Sequence, residues 1–284
     1  MGFDLLVPED EPGLFSLMEE GNYHLLAGGT DLFVKMEKDL LNPDRIIDIT
    51  EVLTGPKLEK SEKEITVLAT ATFSEIAKSP LIRNELPVLA ESARAVGATQ
   101  LRNMATIGGN ICNASPSADT LIALYLLDAE LTLASREGER QMSVKDFITG
   151  PGETELSRGE YLKNIRLPRI GEEFSSYFEK VGRRTALDIS VCSMGYLLKE
   201  NGGVVEELRL AYGAVAPTVV RVTSVEEFLR GKELNEETVY RAKKLLKDRI
   251  SPISDIRGSA EYRKKVAARL VERIGTNSGE NNEI

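Results

Sequence analysis

Two glycine pairs carry the residues best suited to chemistry in this chain. In "LLAGGTDLFVKM", residues 25 to 36, an apolar run meets Gly28, Gly29 and Thr30 and is followed by helical periodicity. A strand that enters a glycine loop opening a helix presents free backbone N–H groups and the positive helix end. Side chains would obstruct that approach, so the pattern suits a phosphate; taken alone, the pair also reads as a tight turn. A second stretch, "LRNMATIGGNICNASPSAD" (101 to 119), brings small residues to Gly108 and Gly109, then Asn, Ser and Asp ahead of an apolar helix. Two such loops suggest one extended ligand with a diphosphate and a polar head. Neither loop has the G-x-G-x-x-G spacing of a Rossmann fold, and Asp48, about twenty residues past the first loop, is weak support for one.

The remaining reactive residue types offer less. Cys112 and Cys192 are the only cysteines and form no CxxC, so no disulfide framework, zinc site or iron-sulfur centre can be built from this chain alone. Any such centre belongs to a partner, and both thiols are expected as small buried hydrophobes. His24 is the only histidine and sits in a strand, where a structural role is expected. Arg183 and Arg184 could line a route for a nicotinamide dinucleotide, but paired arginines commonly serve interfaces or surface ion pairs. A net charge of -9 opposes nonspecific nucleic-acid binding, and the basic segment "YRAKKLLKDRI" alternates with apolar residues as a solvated helix face does.

These residues need elements to position them. At 284 residues with 42% hydrophobic content, the chain is long enough for two domains with real cores. No apolar run approaches the ~18 residues of a membrane span, and the N-terminus lacks a basic region ahead of an apolar one, so a cytoplasmic protein is expected. The first fifty residues read β-α-β-α-β: "FDLLV", a helix from Glu11 to Glu20, "YHLLA", a helix from Asp31 to Lys38, and "RIIDI". From "EITVLATATF" onward strands and helices mix, with a helix over Pro87 to Val96, a loop through Asn113, a helix near Asp119 to Leu127, and strands "ELTLA" and "YLKNIRL". After Pro168 three long strand candidates precede helices between Val225 and Ile274. The fold class expected is α+β, with a domain over 1–168 (subdomains about 1–56 and 57–168), a second over 169–275, and a polar, disordered tail over 276–284.

"LLAGGTDL" and "QLRNMATIGGNICNASPSADT", in that order and about eighty residues apart, resemble the two FAD-binding signatures of the flavin subunits of molybdenum hydroxylases, the group of xanthine dehydrogenase and carbon monoxide dehydrogenase. "FITGPGETEL", "VGRRTALDISV", "LRLAYGAVAPTVVR" and "ISDIRGSAEYRKKV" are also similar to parts of bacterial three-subunit xanthine dehydrogenases. The resemblance implies a two-part FAD-binding domain of the vanillyl-alcohol oxidase type, followed by a C-terminal domain with a three-stranded antiparallel sheet and a helical bundle. It implies FAD contacts along Leu25, Leu26, Ala27, Gly28, Gly29, Thr30, Asp31 and Leu32, and along Thr106, Ile107, Gly108, Gly109 and Asn110. Asp119, Leu162 and Lys180 fall at further FAD contacts of the family, and Val96 at a looser one; Lys180 would offer positive charge near the flavin or its phosphates. Asp119 could equally cap its helix.

The resemblance further implies an oxidoreductase subunit with no catalytic side chain or metal of its own. A partner would oxidise substrate at a molybdenum-pterin centre, and an iron-sulfur partner would relay electrons through [2Fe-2S] clusters to this FAD and on to NAD+. A dimer of heterotrimers is the implied assembly. With two cysteines the chain lacks the four-cysteine cluster loop of the hydroxybenzoyl-CoA reductase branch. Two other classes stay in view: a self-contained flavin oxidoreductase, for which the histidine-free region after Pro168 looks too plain, and a non-catalytic assembly module in which the glycine loops are turns.

Overall fold

The structure, a computed structural model, describes residues 2–184 and 188–275. The tail expected to be disordered lies outside the described residues. The chain forms two compact units: 1–76, 98–114 and 128–168 make the first, and 77–97, 115–127 and 169–284 the second.

The first unit begins as the alternation predicts. Strands Asp4–Leu6, Arg45–Asp48 and Tyr23–Leu26 lie side by side in a parallel sheet with the 45–48 strand in the middle. Helix Glu11–Met18 starts where the Asp10 carboxylate accepts from the Gly13 amide at 2.8 Å, with Pro12 in its first turn, and it buries Leu14 and Met18. It ends two residues short of the expected Glu20. The second sheet of this unit is antiparallel, in the order Leu58–Lys60, Glu64–Leu68, Tyr161–Pro168, Glu130–Ser135, Gly138–Ser143. Its alternating residues Ile65, Val67, Leu131, Leu133, Ile165 and Leu167 form the core.

One expectation is overturned in this unit. Residues Ile107–Asn113, read from the sequence as loop, form a helix. Glycine pairs disfavour helix by roughly 1 kcal/mol per residue, and here tertiary packing wins. The Gly108 amide donates to Ala69 O at 2.9 Å and the Ile107 amide to Ala71 O at 3.0 Å. A Cβ at Gly108 would lie 2.6 Å from that of Ala69, so only glycine lets the helix start against the 69–71 backbone.

In the second unit the three long strand candidates pair in order, Ser175–Val181 with Cys192–Asn201 and that with Val204–Gly213. Gly202 and Gly203, both at positive φ, turn the second hairpin. A two-residue strand, Val220–Arg221, adds a fourth member at the edge. Met194, Tyr196, Leu198, Leu208, Leu210 and Tyr212 alternate toward helices Thr223–Leu229, Glu236–Lys247 and Ala260–Leu270 and form the core with them. Helix Asp119–Leu126 is buried on all sides and packs on the sheet. A Cβ at Gly195 would stand 2.9 Å from Ile122, and one at Gly213 3.1 Å from it, so two glycines in the strands let this helix sit close and fix Asp119 at its start. Among the described residues no helix is long and apolar enough to cross a membrane.

Candidate functional site

The first glycine loop is a strand-to-helix turn with open backbone. Strand Tyr23–Leu26 ends before Ala27, and helix Leu32–Glu37 begins after Asp31. Gly29 takes φ +69°, which an L side chain rarely adopts, so this glycine makes the turn. The Gly29 carbonyl accepts from the Phe33 amide at 3.2 Å and the Asp31 carbonyl from Lys35 at 3.0 Å. Among the described residues, the amides of Gly28, Gly29, Thr30 and Asp31 have no acceptor in the chain. Four successive donors left open suit an anion.

Gly28 has a different task from the one its sequence suggests. A Cβ there would sit 2.1 Å from the Met104 carbonyl oxygen and 3.0 Å from the Ala105 Cα. Its missing side chain makes room for the backbone that leads into the second motif. Lys35 joins the same two segments: its ammonium pairs with Asp31 at 2.7 Å and donates to the Asn113 side-chain oxygen at 2.5 Å, at the last turn of helix Ile107–Asn113. The two motifs thus form one packed body within the first unit.

The second motif keeps its amides for itself. Besides the two bonds to Ala69 and Ala71, the Gly109 amide donates to the Thr106 hydroxyl at 3.2 Å and the Asn110 amide to Thr106 O at 3.0 Å. What it leaves open is a surface: a Cβ at Gly109 would meet only the Thr106 Oγ1, at 3.0 Å. The arrangement fits a dinucleotide diphosphate against the first loop's amides and the bare face at Gly109. Leu162 lies in strand Tyr161–Pro168 of the same unit, its side chain buried, beside a break in register before Asn164.

Asp119 and Lys180 meet in the second unit. Asp119 is 5% exposed; its Oδ2 accepts from the Lys180 ammonium at 2.6 Å, and its Oδ1 accepts from the Ser190 hydroxyl at 2.5 Å. Lys180 also donates to Ala95 O at 3.0 Å. Burial pushes the Asp119 carboxyl above its ordinary range, against the pull of Lys180 and Ser190. Asp119 makes no side-chain cap to its helix, so the N-cap alternative fails, and the Lys180 ammonium is paired with it. Val96 lies one residue beyond the Ala95 that Lys180 holds.

Ser190 and the Met104 carbonyl escaped the sequence reading: a serine before an apolar strand carries no mark, and a backbone contact carries none either. Arg183 donates to Ile256 O at 2.8 Å, so one of the paired arginines is tied to the chain itself. Burial pushes the Cys112 and Cys192 thiols up to about 12; Cys192 is buried, whereas Cys112 is partly exposed. Burial and the nearby Lys35 hold the His24 imidazole below its ordinary pKa. Among the described residues no cluster of His, Cys, Asp and Glu could hold a metal.

Comparison with known proteins finds similarity over almost the whole chain. Residues 1–170 match the family model described as the FAD binding domain in molybdopterin dehydrogenase, and 176–277 match that of the CO dehydrogenase flavoprotein C-terminal domain. The glyceraldehyde dehydrogenase medium chain of Sulfolobus acidocaldarius is 32% identical, with 87% of this chain and 88% of that one covered. A putative xanthine dehydrogenase FAD-binding subunit of Escherichia coli is 31% identical, with 88% and 86% covered. The solved carbon monoxide dehydrogenase of Hydrogenophaga pseudoflava includes a chain that superposes with a TM-score of 0.91 at 28% identity, covering 96% of each. With both signatures packed together and both halves of the chain matched, this protein belongs to the FAD-binding medium subunits of the molybdenum hydroxylases.

Proposed function

We propose that this chain works as the electron-transfer subunit of a xanthine dehydrogenase-like hydroxylase, taking electrons from the [2Fe-2S] clusters of a small partner and passing them to NAD+. The observation that carries it is the run of four open amides from Gly28 to Asp31, braced from behind by Met104, in a chain of this family. FAD, when bound, supplies the step between one-electron metal centres and a two-electron acceptor. The chain's residues then bind and orient. Leu25 to Leu32 wrap the diphosphate, with amide donors at Gly28 to Asp31. Thr106 to Asn110 lie along the cofactor through the Thr106 hydroxyl, the Asn110 side chain and the bare face of Gly109, because the amides there are spent internally. Asp119, Leu162 and Lys180 are assigned to FAD on the family resemblance; the buried Leu162 side chain leaves its backbone for that contact. The xanthine branch rests on the motif similarities after residue 145, and glyceraldehyde and carbon monoxide dehydrogenases among the relatives mark the other substrates to be tested.

The full chain, purified, should be yellow or turn yellow with added FAD, and Gly29→Val should abolish retention, since a β-branched residue resists φ +69°. Bound FAD should exchange electrons slowly with NADH. A chain that stays colourless in excess FAD overturns the proposal, and FAD that NADH never reduces removes NAD+ from it.

A further inference from the structure

Asp119 has both carboxylate oxygens engaged, each by a different donor, and only one of the two donors has an assigned purpose. Lys180 holds Oδ2; the other oxygen accepts from Ser190, which is 0% exposed. Described residues on either side of Ser190 are bonded in place. The Val191 amide donates to Val181 O at 2.9 Å, closing the hairpin that starts in the Lys180 strand. Within the turn the Asp188 carboxylate accepts from the backbone amides of Arg183, Arg184 and Ile189. Lys180 and Ser190 therefore both donate to the one carboxylate, and the Ala95 carbonyl accepts a second bond from the same lysine.

We propose that Ser190 is a positioning residue that holds Asp119 as the counter-charge of Lys180 and thereby sets how much of the lysine charge a bound flavin feels. The proposal rests on the assignment of Asp119 and Lys180 to FAD made above. A reduced flavin carries negative charge near N1, so an uncompensated ammonium favours the reduced over the oxidised cofactor. A lysine locked to a carboxylate contributes far less, because the pair has no net charge. The serine hydroxyl is one of two hydrogen bonds favouring the charged form of a group that burial disfavours. Hydrogen bonds to a charged group are among the stronger ones in a protein, so its loss weakens the counter-charge directly.

The experiment measures the FAD midpoint potential of the full chain against reference dyes at one fixed pH, alongside FAD affinity by flavin fluorescence. Asp119→Asn, which leaves Lys180 uncompensated, should favour reduced over oxidised FAD by about tenfold, an upward shift of about 30 mV for a two-electron couple. Ser190→Ala should shift the potential in the same direction by a smaller amount, and Ser190→Thr, which keeps the hydroxyl, should restore the original value. Should Ser190→Ala fail to fold, Ser190→Cys provides a side chain of similar size with a weak donor and should reproduce its shift. A Ser190→Ala or Ser190→Cys protein at the unsubstituted potential overturns the proposal, as does an Asp119→Asn protein that does not shift. An unsubstituted chain that binds no FAD instead overturns the flavin assignment on which both rest.

Discussion

The four motif glycines answer to four different neighbours, and the difference can be measured. Gly28 faces the Met104 carbonyl, Gly29 holds positive φ, Gly108 faces Ala69, and Gly109 faces only the hydroxyl that caps its own helix. Gly28→Ala should therefore lower the melting temperature of the apo chain and weaken FAD together, because 2.1 Å from backbone leaves nowhere for a methyl group. Gly109→Ala should leave the apo chain as stable or raise it by up to about 1 kcal/mol through helix propensity, while weakening FAD at least tenfold by filling the bare face. Thermal melts of apo chain and FAD titrations separate the two, and a Gly109→Ala protein with full affinity would show that the cofactor does not use that face. The types and order of these residues were legible in the sequence and so was their ligand class. Which glycine serves the fold and which the ligand was not, because Gly28 and Met104 are 76 positions apart and meet through backbone.

At the level of elements, periodicity located the strands and most helices because each has one buried face, as in the alternation of Ile65 and Val67 or Leu208, Leu210 and Tyr212. Helix Ile107–Asn113 was invisible for the opposite reason: its stability comes from carbonyls at 69 and 71 and a close glycine contact, none of which has a period. A similar long-range clamp holds the second unit. Arg263, 3% exposed, donates through one guanidinium nitrogen to Val191 O at 2.7 Å and Ala214 O at 3.0 Å, and through the other to Asp255 at 2.7 Å. Ala214 takes φ +60°, a strained conformation for a residue with a side chain, and its amide donates to Pro116 O at 2.8 Å. Arg263 thus joins the start of one strand, a strained turn and the 255–258 turn, close to the Ser190 connection. Arg263→Met should cost about 2–4 kcal/mol in urea unfolding, since it removes the donor to the Val191 and Ala214 carbonyls and one of the donors to the Asp255 carboxylate, which Arg257 and Gly258 still serve. A loss under about 1 kcal/mol would show that Ala214 and Val191 hold their places without it.

For the whole molecule, the decisive quantity is what the chain can and cannot do unaided. Its two cysteines lie far apart in sequence, its one histidine lies in a strand, and among the described residues no cluster of His, Cys, Asp and Glu could hold a metal. Two of the relatives it matches are a medium chain and an FAD-binding subunit by name, spanned over 86% to 88% of their length. The isolated chain, loaded with FAD, should accept electrons from NADH or a reduced dye at a measurable rate and show no purine or aldehyde oxidation above the no-protein control. Adding the iron-sulfur and molybdenum proteins that co-purify with it should restore substrate-dependent NAD+ reduction, and the substrate that does so identifies the branch: a purine supports the xanthine dehydrogenase-like proposal, an aldehyde replaces it. Reconstitution also tests the division of labour, because Gly29→Val should abolish NAD+ reduction while leaving substrate reduction of the molybdenum partner intact. Purine oxidation by the chain alone would overturn the subunit assignment.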